Sequence, residues 1–298
     1  MLLARLDPGS VSARRGLSDI AIRNLFIIPT IVFLIAFNIF PLIYSLGYSF
    51  TDFRASGSAP ANFIGLQNYR ELLADAYIWN NFTITAKYVL VSVGGQVLVG
   101  FGVALLLNRK IPAKGLVTTL LLLPMMMSMA VVGLFWQLLY SPSWGIINYA
   151  LGLEDFEWLS DADVALYAVA LTDIWMWSPF VMLLSLAGLS AIPQHLYEAA
   201  AIDRASRWYT FTRITLPLVT PLLLIAIIFR TMEAFKTFDL AFIMSSQETT
   251  ELIAIRLYKM AFQEWQTGKS CAMAYIVLIM VLAITNIYVK YLNQAKAR

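Results

Sequence analysis

Residues 25–50 read LFIIPTIVFLIAFNIFPLIYSLGYSF, 26 consecutive positions without a formal charge. A bilayer's hydrocarbon core is crossed by roughly 20 helical residues, so this run is long enough to span it. It also exceeds the roughly 7–15 residues of a signal-peptide core and is expected to stay in the membrane. The rest of the chain has the same character. Apolar residues fill 60% of the 298 positions and charged residues 13%, with a mean hydropathy of +0.72. Soluble domains run nearer about 45–50% apolar and about 25% charged. One core of this size cannot hide so much apolar surface, and lipid is the natural solvent.

Five further stretches have spanning length: 84–107, 116–140, 164–189, 216–244 and 270–289. The pattern predicts an all-α integral membrane protein with six transmembrane helices. The first, third and sixth runs carry no charge, the second carries Lys87 and the fourth Asp173, and the clean part of the fifth stops at Phe229. With the N-terminus inside, the inner segments 1–24, 108–115, 190–215 and 290–298 hold 13 of the 21 basic residues. The outer segments 51–83, 141–163 and 245–269 hold only 5. This bias orients the chain with both termini cytoplasmic. The 141–163 loop agrees, with Glu154, Asp155, Glu157, Asp161, Asp163 and no base. Pro29, Pro41, Pro124 and Pro179 fall inside the runs, where each removes a helix hydrogen bond and favours a kink.

Several function classes lack their residues. A net charge of +3 without a basic run gives nucleic acid nothing to hold. A single cysteine, Cys271, excludes an intrachain disulfide and a cysteine-rich metal cluster, and no metal site is expected. No Gly-x-x-x-x-Gly-Lys-[Ser/Thr] loop is present to cradle ATP phosphates, so any ATP and magnesium belong to other subunits. An intramembrane enzyme would need a catalytic set, yet His-Glu-x-x-His is missing and the one histidine, His195, lies in an inner loop. An ion-coupled secondary carrier is the alternative transport reading, but such carriers are usually built from internal repeats, and none is visible.

Charged and aromatic residues inside the runs mark candidate pathway positions. Arg230, Glu233, Lys236 and Asp239 alternate in sign at intervals of three, which places opposite charges side by side on a helix. They read either as the polar lining of a solute pathway or as a ladder that pairs helices. Asp173 stands near Trp175 and Trp177, and Trp136 and Gln137 lie near the outer end of the third run. Aromatic faces hold sugar C–H surfaces, and carboxylates and amides hold sugar hydroxyls. The competing reading is an interfacial aromatic belt with one helix-pairing acid.

The inner loop contains Ile192-Pro193-Gln194-His195-Leu196-Tyr197-Glu198-Ala199-Ala200-Ala201-Ile202-Asp203-Arg204-Ala205-Ser206. Pro193 suits a first helical turn, and Ser206 suits the cap of a second helix through Arg207 to Arg213. The loop therefore reads as a short surface helix, a break, and a return to the membrane. Its alanines leave a narrow face, flanked by the apolar Leu196, Tyr197 and Ile202 and the acids Glu198 and Asp203.

The run from Leu196 to Asp203, followed by Ala205-Ser206 and Arg213-Ile214-Thr215-Leu216-Pro217, resembles the EAA loop of binding-protein-dependent ABC importer permeases. The similarity is strongest to the carbohydrate-uptake branch that includes the maltose and glycerol-phosphate systems. Phe63-Ile64-Gly65-Leu66-Gln67-Asn68-Tyr69, Phe235-Lys236-Thr237-Phe238-Asp239 and Thr249-Thr250-Glu251-Leu252 resemble further stretches of that branch. The resemblance implies a type I ABC importer transmembrane domain over 84–289, with the first helix and the external segment 51–83 before it. It implies a cytoplasmic coupling helix in the 190–215 loop, with Tyr197, Glu198, Ala199, Ala200, Ile202 and Asp203 docking on an ATPase. It also implies a second permease subunit, a dimer of ATPase subunits and an extracytoplasmic solute-binding protein as partners in a bacterial inner membrane. The cargo would be a sugar, polyol, glycosyl-glycerol or glycerol-phosphate, and ATP hydrolysis would lie on the partners. Two departures stand out. Arg204 replaces the family's usual Gly, at a cost of about 1–2 kcal/mol if the break needs a left-handed residue. Met244-Ser245-Ser246-Gln247 replaces its usual Gly-rich turn after the fifth helix.

Overall fold

The computed structural model describes residues 18–57, 60–109, 111–153, 155–244 and 248–296. The basic residues of 1–17, the Glu154 acid, the Ser245-Ser246-Gln247 turn and the last two residues lie outside the described residues. Helix α1 (Asp19–Leu34) and α2 (Phe40–Ser49) form one rod, joined by a π turn at Ile35–Ile39. Pro41 lies two residues beyond that turn. Proline lacks an N–H and crowds the carbonyl four residues back, and a widened turn accommodates both defects. The same device recurs at Phe211–Thr215, ahead of Pro217, so Arg207–Phe235 is one rod as well. No side chain of the apolar window in Arg23–Ser49 is buried within this chain, and only its α2 end packs, against α14 (Thr267–Lys296).

The external segment is tied to that end. Thr51 and Phe63 form an isolated antiparallel bridge. Asp52 accepts from the Asn62 side-chain amide at 3.0 Å and its backbone N–H at 2.7 Å, which holds the Asp52 carboxyl below the usual carboxylate range. Helix α3 (Gln67–Ala74) is pinned by Asn68, whose amide donates to the Ser49 and Thr51 carbonyls, and by the Glu71–Lys269 pair at 3.1 Å.

The centre of the molecule is the pairing of α4 (Ala76–Leu107) with α8 (Ala165–Ser190). Asp75 caps α4 by accepting from the Tyr77 N–H at 2.9 Å. Gly100 allows the closest approach, because a Cβ there would lie 2.5 Å from the Ser178 carbonyl oxygen. Helix α11 (Leu216–Phe235) packs on α4, α8 and α14. One apolar cluster around Tyr88, Val169, Met176 and Ala234 and a second around Ala104, Val181, Met182 and Val219 fill the space between these helices.

The expected third span is not one helix. Residues 116–140 divide into α5 (Lys114–Leu122), a short 3₁₀ turn at Pro124–Met126 and α6 (Met129–Leu139), with Met127 and Ser128 extended. Pro124 withholds an N–H and the extended pair breaks the ladder, so only five helices among the described residues are long and apolar enough to cross a membrane. The expected fifth span also ends early. Helix α11 stops at Phe235, and the remainder of 216–244 is a separate α12 (Asp239–Met244). Between α6 and α8 lies α7 (Ile146–Leu151); between α8 and α11 lie α9 (Gln194–Ile202) and α10 (Arg207–Thr210); α13 (Ile253–Tyr258) precedes α14.

Candidate functional site

Asp173 lies on α8 and Arg230 on α11, and each side chain is 3% exposed. The Arg230 guanidinium donates from Nη2 to Asp173 Oδ1 at 3.3 Å and from Nε to Gln96 Oε1 of α4 at 2.8 Å. Gln96 Nε2 in turn donates to Asp173 Oδ2 at 2.8 Å. The three side chains close a ring across three helices. The Trp177 ring lies against the guanidinium, 4.4 Å from its carbon to the ring centroid. A lone charge at this depth is expensive, and the ring gives each charge a partner and hydrogen bonds. The Tyr88 and Ser92 hydroxyls, both fully buried on the same helix as Gln96, make no hydrogen bond of good geometry among the described residues.

The structure thus brings Asp173 and Trp177 together and takes Arg230 out of the sign-alternating ladder. Glu233 and Lys236 pair with each other at 2.7 Å on an exposed surface, 58% and 51% open for the lysine and the glutamate. Asp239 is exposed at the start of α12, beyond the break after Phe235. The four charges do not form one continuous helical ladder. Trp136 packs edge-on against Trp175, with centroids 5.5 Å apart, inside the cluster around Tyr88. The indole N–H groups of Trp136 and Trp177 are buried without a partner among the described residues.

On the loop, α9 ends as the sequence suggested. Ala205 N–H bonds the Ala200 carbonyl and Arg204 N–H the Ala201 carbonyl, and Arg204 itself adopts φ +52°. This is the left-handed residue that closes many helices. Ser206 caps α10 by accepting from the Tyr209 N–H at 3.1 Å. The two sides of α9 differ. Ala200 is buried, and the Tyr197 hydroxyl meets Thr215 Oγ1 at 3.1 Å, so both anchor α9 to its own subunit. Glu198, Ala199, Ile202 and Asp203 are exposed, and Ile202 is 82% open.

Residues 96–298 match the family described as the inner membrane component of binding-protein-dependent transport systems. The chain belongs to that family. It is a transport permease subunit rather than a catalytic enzyme, and a multi-pass membrane protein. The permease is 32% identical to the trehalose/maltose transport system permease protein MalF of Thermococcus litoralis, over 89% of this chain and 92% of that one. It is 30% identical to the trehalose transport system permease protein SugA of Mycobacterium tuberculosis, over 96% and 94%. Its fold matches a solved bacterial ABC transporter involved in the import of the acidic polysaccharide alginate, with TM-score 0.80 and 22% identity, over 92% of this chain and 95% of that one.

Sequence reasoning missed Gln96 as a site residue of this permease. It is the one amide side chain in 84–107, and an isolated amide in an apolar run needs a partner. Among the described residues, no cluster of three or more metal-ligating side chains occurs.

Proposed function

We propose that this permease supplies half of the membrane pathway of an ABC importer for a carbohydrate, driven by ATP hydrolysis on partner subunits. The observation that carries the reading is α9, a short helix anchored on one side by Tyr197 and Ala200 and presenting Ile202, Glu198 and Asp203 on the other. A rigid helix between two spans, with one unpartnered apolar residue flanked by acids, suits a shallow cleft on another protein. The resemblance implies an ATPase subunit as that protein. The basic bias supports a cytoplasmic α9 and cytoplasmic termini. In this reading α5 and α6 together make the sixth crossing, broken at Pro124–Met126. The similarity to trehalose and maltose transport permeases supports a sugar cargo. A second permease subunit, two ATPase subunits and a solute-binding protein complete the machine, and ATP and magnesium sit on the ATPases.

The test is to co-express the permease with ATPase and second permease subunits and to place a single cysteine at Ile202. Cross-linking of that cysteine to the ATPase, together with ATP-dependent uptake of a sugar into proteoliposomes, is the expected result. Uptake driven by an ion gradient without any ATPase would support the secondary-carrier alternative instead.

A further inference from the structure

A cavity of about 350 Å³ lies where the N-terminal part of α4, the start of α8 and the 3₁₀ turn Glu248–Thr250 meet. Asn80 and Lys87 reach it from one face of α4, Asp163 from the turn before α8, Tyr167 from the start of α8, and Glu248 and Thr249 from the 3₁₀ turn. Its volume is roughly ten times a water's share of the liquid, about 30 Å³, and lies at the lower end of small-molecule pockets, roughly 300–1,000 Å³. It lies at the end of α4 that the charge bias places outside.

One of its groups is buried without a partner, and its one cation stands open to the space. Lys87 is 11 residues into a spanning helix, its side chain is exposed, and it makes no ion pair or hydrogen bond with another described residue. Asp163 and Glu248 line the same cavity without closing on it. The Thr249 hydroxyl is buried and has no hydrogen-bond partner among the described residues. A buried hydroxyl without a partner, at the edge of a space lined by open charged groups, leaves hydrogen-bonding capacity for something that enters.

The chemistry of the lining selects what enters. Lys87 donates only, the two carboxylates accept only, and Asn80 and Thr249 do both. Tyr167, 53% exposed, offers a ring face whose negative quadrupole suits polarised C–H groups. A ligand with many hydroxyls on an apolar ring matches all of these at once. One ammonium and two carboxylates leave the cavity with one net negative charge, which disfavours uronates, sulfonates and phosphates. We infer that this cavity is a binding subsite for one ring of a neutral sugar, at the outer mouth of the pathway. The assignment rests on the sugar-importer reading and narrows it to uncharged cargo.

The test uses the transporter assembled with its second permease and ATPase subunits in nanodiscs, carrying Cys271→Ser and Asn80→Cys in this chain. Modification of the new cysteine by a membrane-impermeant maleimide is timed with maltose, trehalose or glucuronate present. The expected result is several-fold slower modification with maltose or trehalose and an unchanged rate with glucuronate. In proteoliposomes with the binding protein added, Asp163→Asn and Lys87→Met should each raise the KM for uptake about tenfold, and Lys87→Arg should restore most of it. Equal protection by glucuronate overturns the neutral selectivity. No protection by either disaccharide, in a complex that imports one of them with unchanged KM in the variants, overturns the subsite and leaves the importer reading standing. Such a result would assign Lys87 to simple reach toward interfacial water. A wild-type complex that imports no sugar removes the importer reading and the subsite with it.

Discussion

Asp173 and Arg230, 57 residues apart in the chain, meet at 3.3 Å in the interior of the helix bundle, with Gln96 bridging them from a third helix. Removing either partner strands the other charge among apolar helices. Breaking a buried pair costs about 3–5 kcal/mol, far more than the pair contributes over an apolar replacement. Asp173→Ala is therefore expected to lower subunit yield and thermal stability sharply. The double variant Asp173→Ala, Arg230→Met should be more stable than Asp173→Ala alone. Thermal unfolding of the detergent-solubilised complex checks both. A stable Asp173→Ala complex with lost uptake would move Asp173 from helix pairing to the solute pathway.

Glu233 carries the opposite expectation. Its pair with Lys236 is open to solvent within this chain, and exposed pairs contribute about 0–1 kcal/mol. Glu233→Ala should leave the melting temperature of the isolated subunit within about 1–2 °C of wild type. A large loss of stability in the assembled complex but not in the isolated subunit would show that the second permease subunit covers this surface and pairs with it.

The contrast between these two acids shows what the sequence made legible. Apolar length is a one-dimensional property, so the runs that became α4, α8 and α14 could be read directly. The spacing of Arg230, Glu233, Lys236 and Asp239 suggested mutual pairing because it assumed an unbroken helix. Helix α11 instead ends at Phe235, and Arg230 turns to α8. That partner depends on how helices cross, which no local pattern encodes. The break at Pro124–Met126 was visible only as a proline, since hydropathy averaged over a window runs across two extended residues without a dip. The loop helix was the most legible part. Its alanines, the Ser206 cap of the helix that follows and the strained Arg204 are all local features.

Arg204 tests that local reading. Its φ of +52° places a side chain with a Cβ where glycine is at ease. Relief of the left-handed strain outweighs the extra chain entropy glycine loses on folding, so Arg204→Gly should stabilise the subunit by about 0.5–1 kcal/mol. A melting temperature raised by about 2 °C would be the signature. A lowered one would mean that the exposed guanidinium holds a contact in the assembled transporter.

The two sides of α9 give the last prediction, because they separate folding from coupling. Ala200 is 8% exposed, and Tyr197 is tied to Thr215, so this side is already occupied by the subunit's own packing. Ala200→Trp forces a large ring into filled space. Overpacking of this kind costs about 1–3 kcal/mol, and the expected outcome is a poorly assembled subunit rather than a clean loss of coupling. Ile202 is 82% exposed and contributes little to the fold of this chain. Ile202→Asp should leave yield and melting temperature unchanged. If Ile202 is the anchor in an ATPase cleft, the same change should weaken the ATPase contact by about 2 kcal/mol or more, the usual size for a buried interface anchor. Glu198→Lys reverses a charge at the rim of that contact and should slow assembly in a salt-dependent way. The measurement is binding-protein-stimulated ATP hydrolysis and sugar uptake in the same proteoliposomes. Loss of both in Ile202→Asp, with a normally folded permease, is the expected result. Wild-type hydrolysis and uptake in both Ile202→Asp and Glu198→Lys would mean that the exposed side of α9 does not carry the coupling, and the transmitting contact would have to lie elsewhere on the cytoplasmic surface.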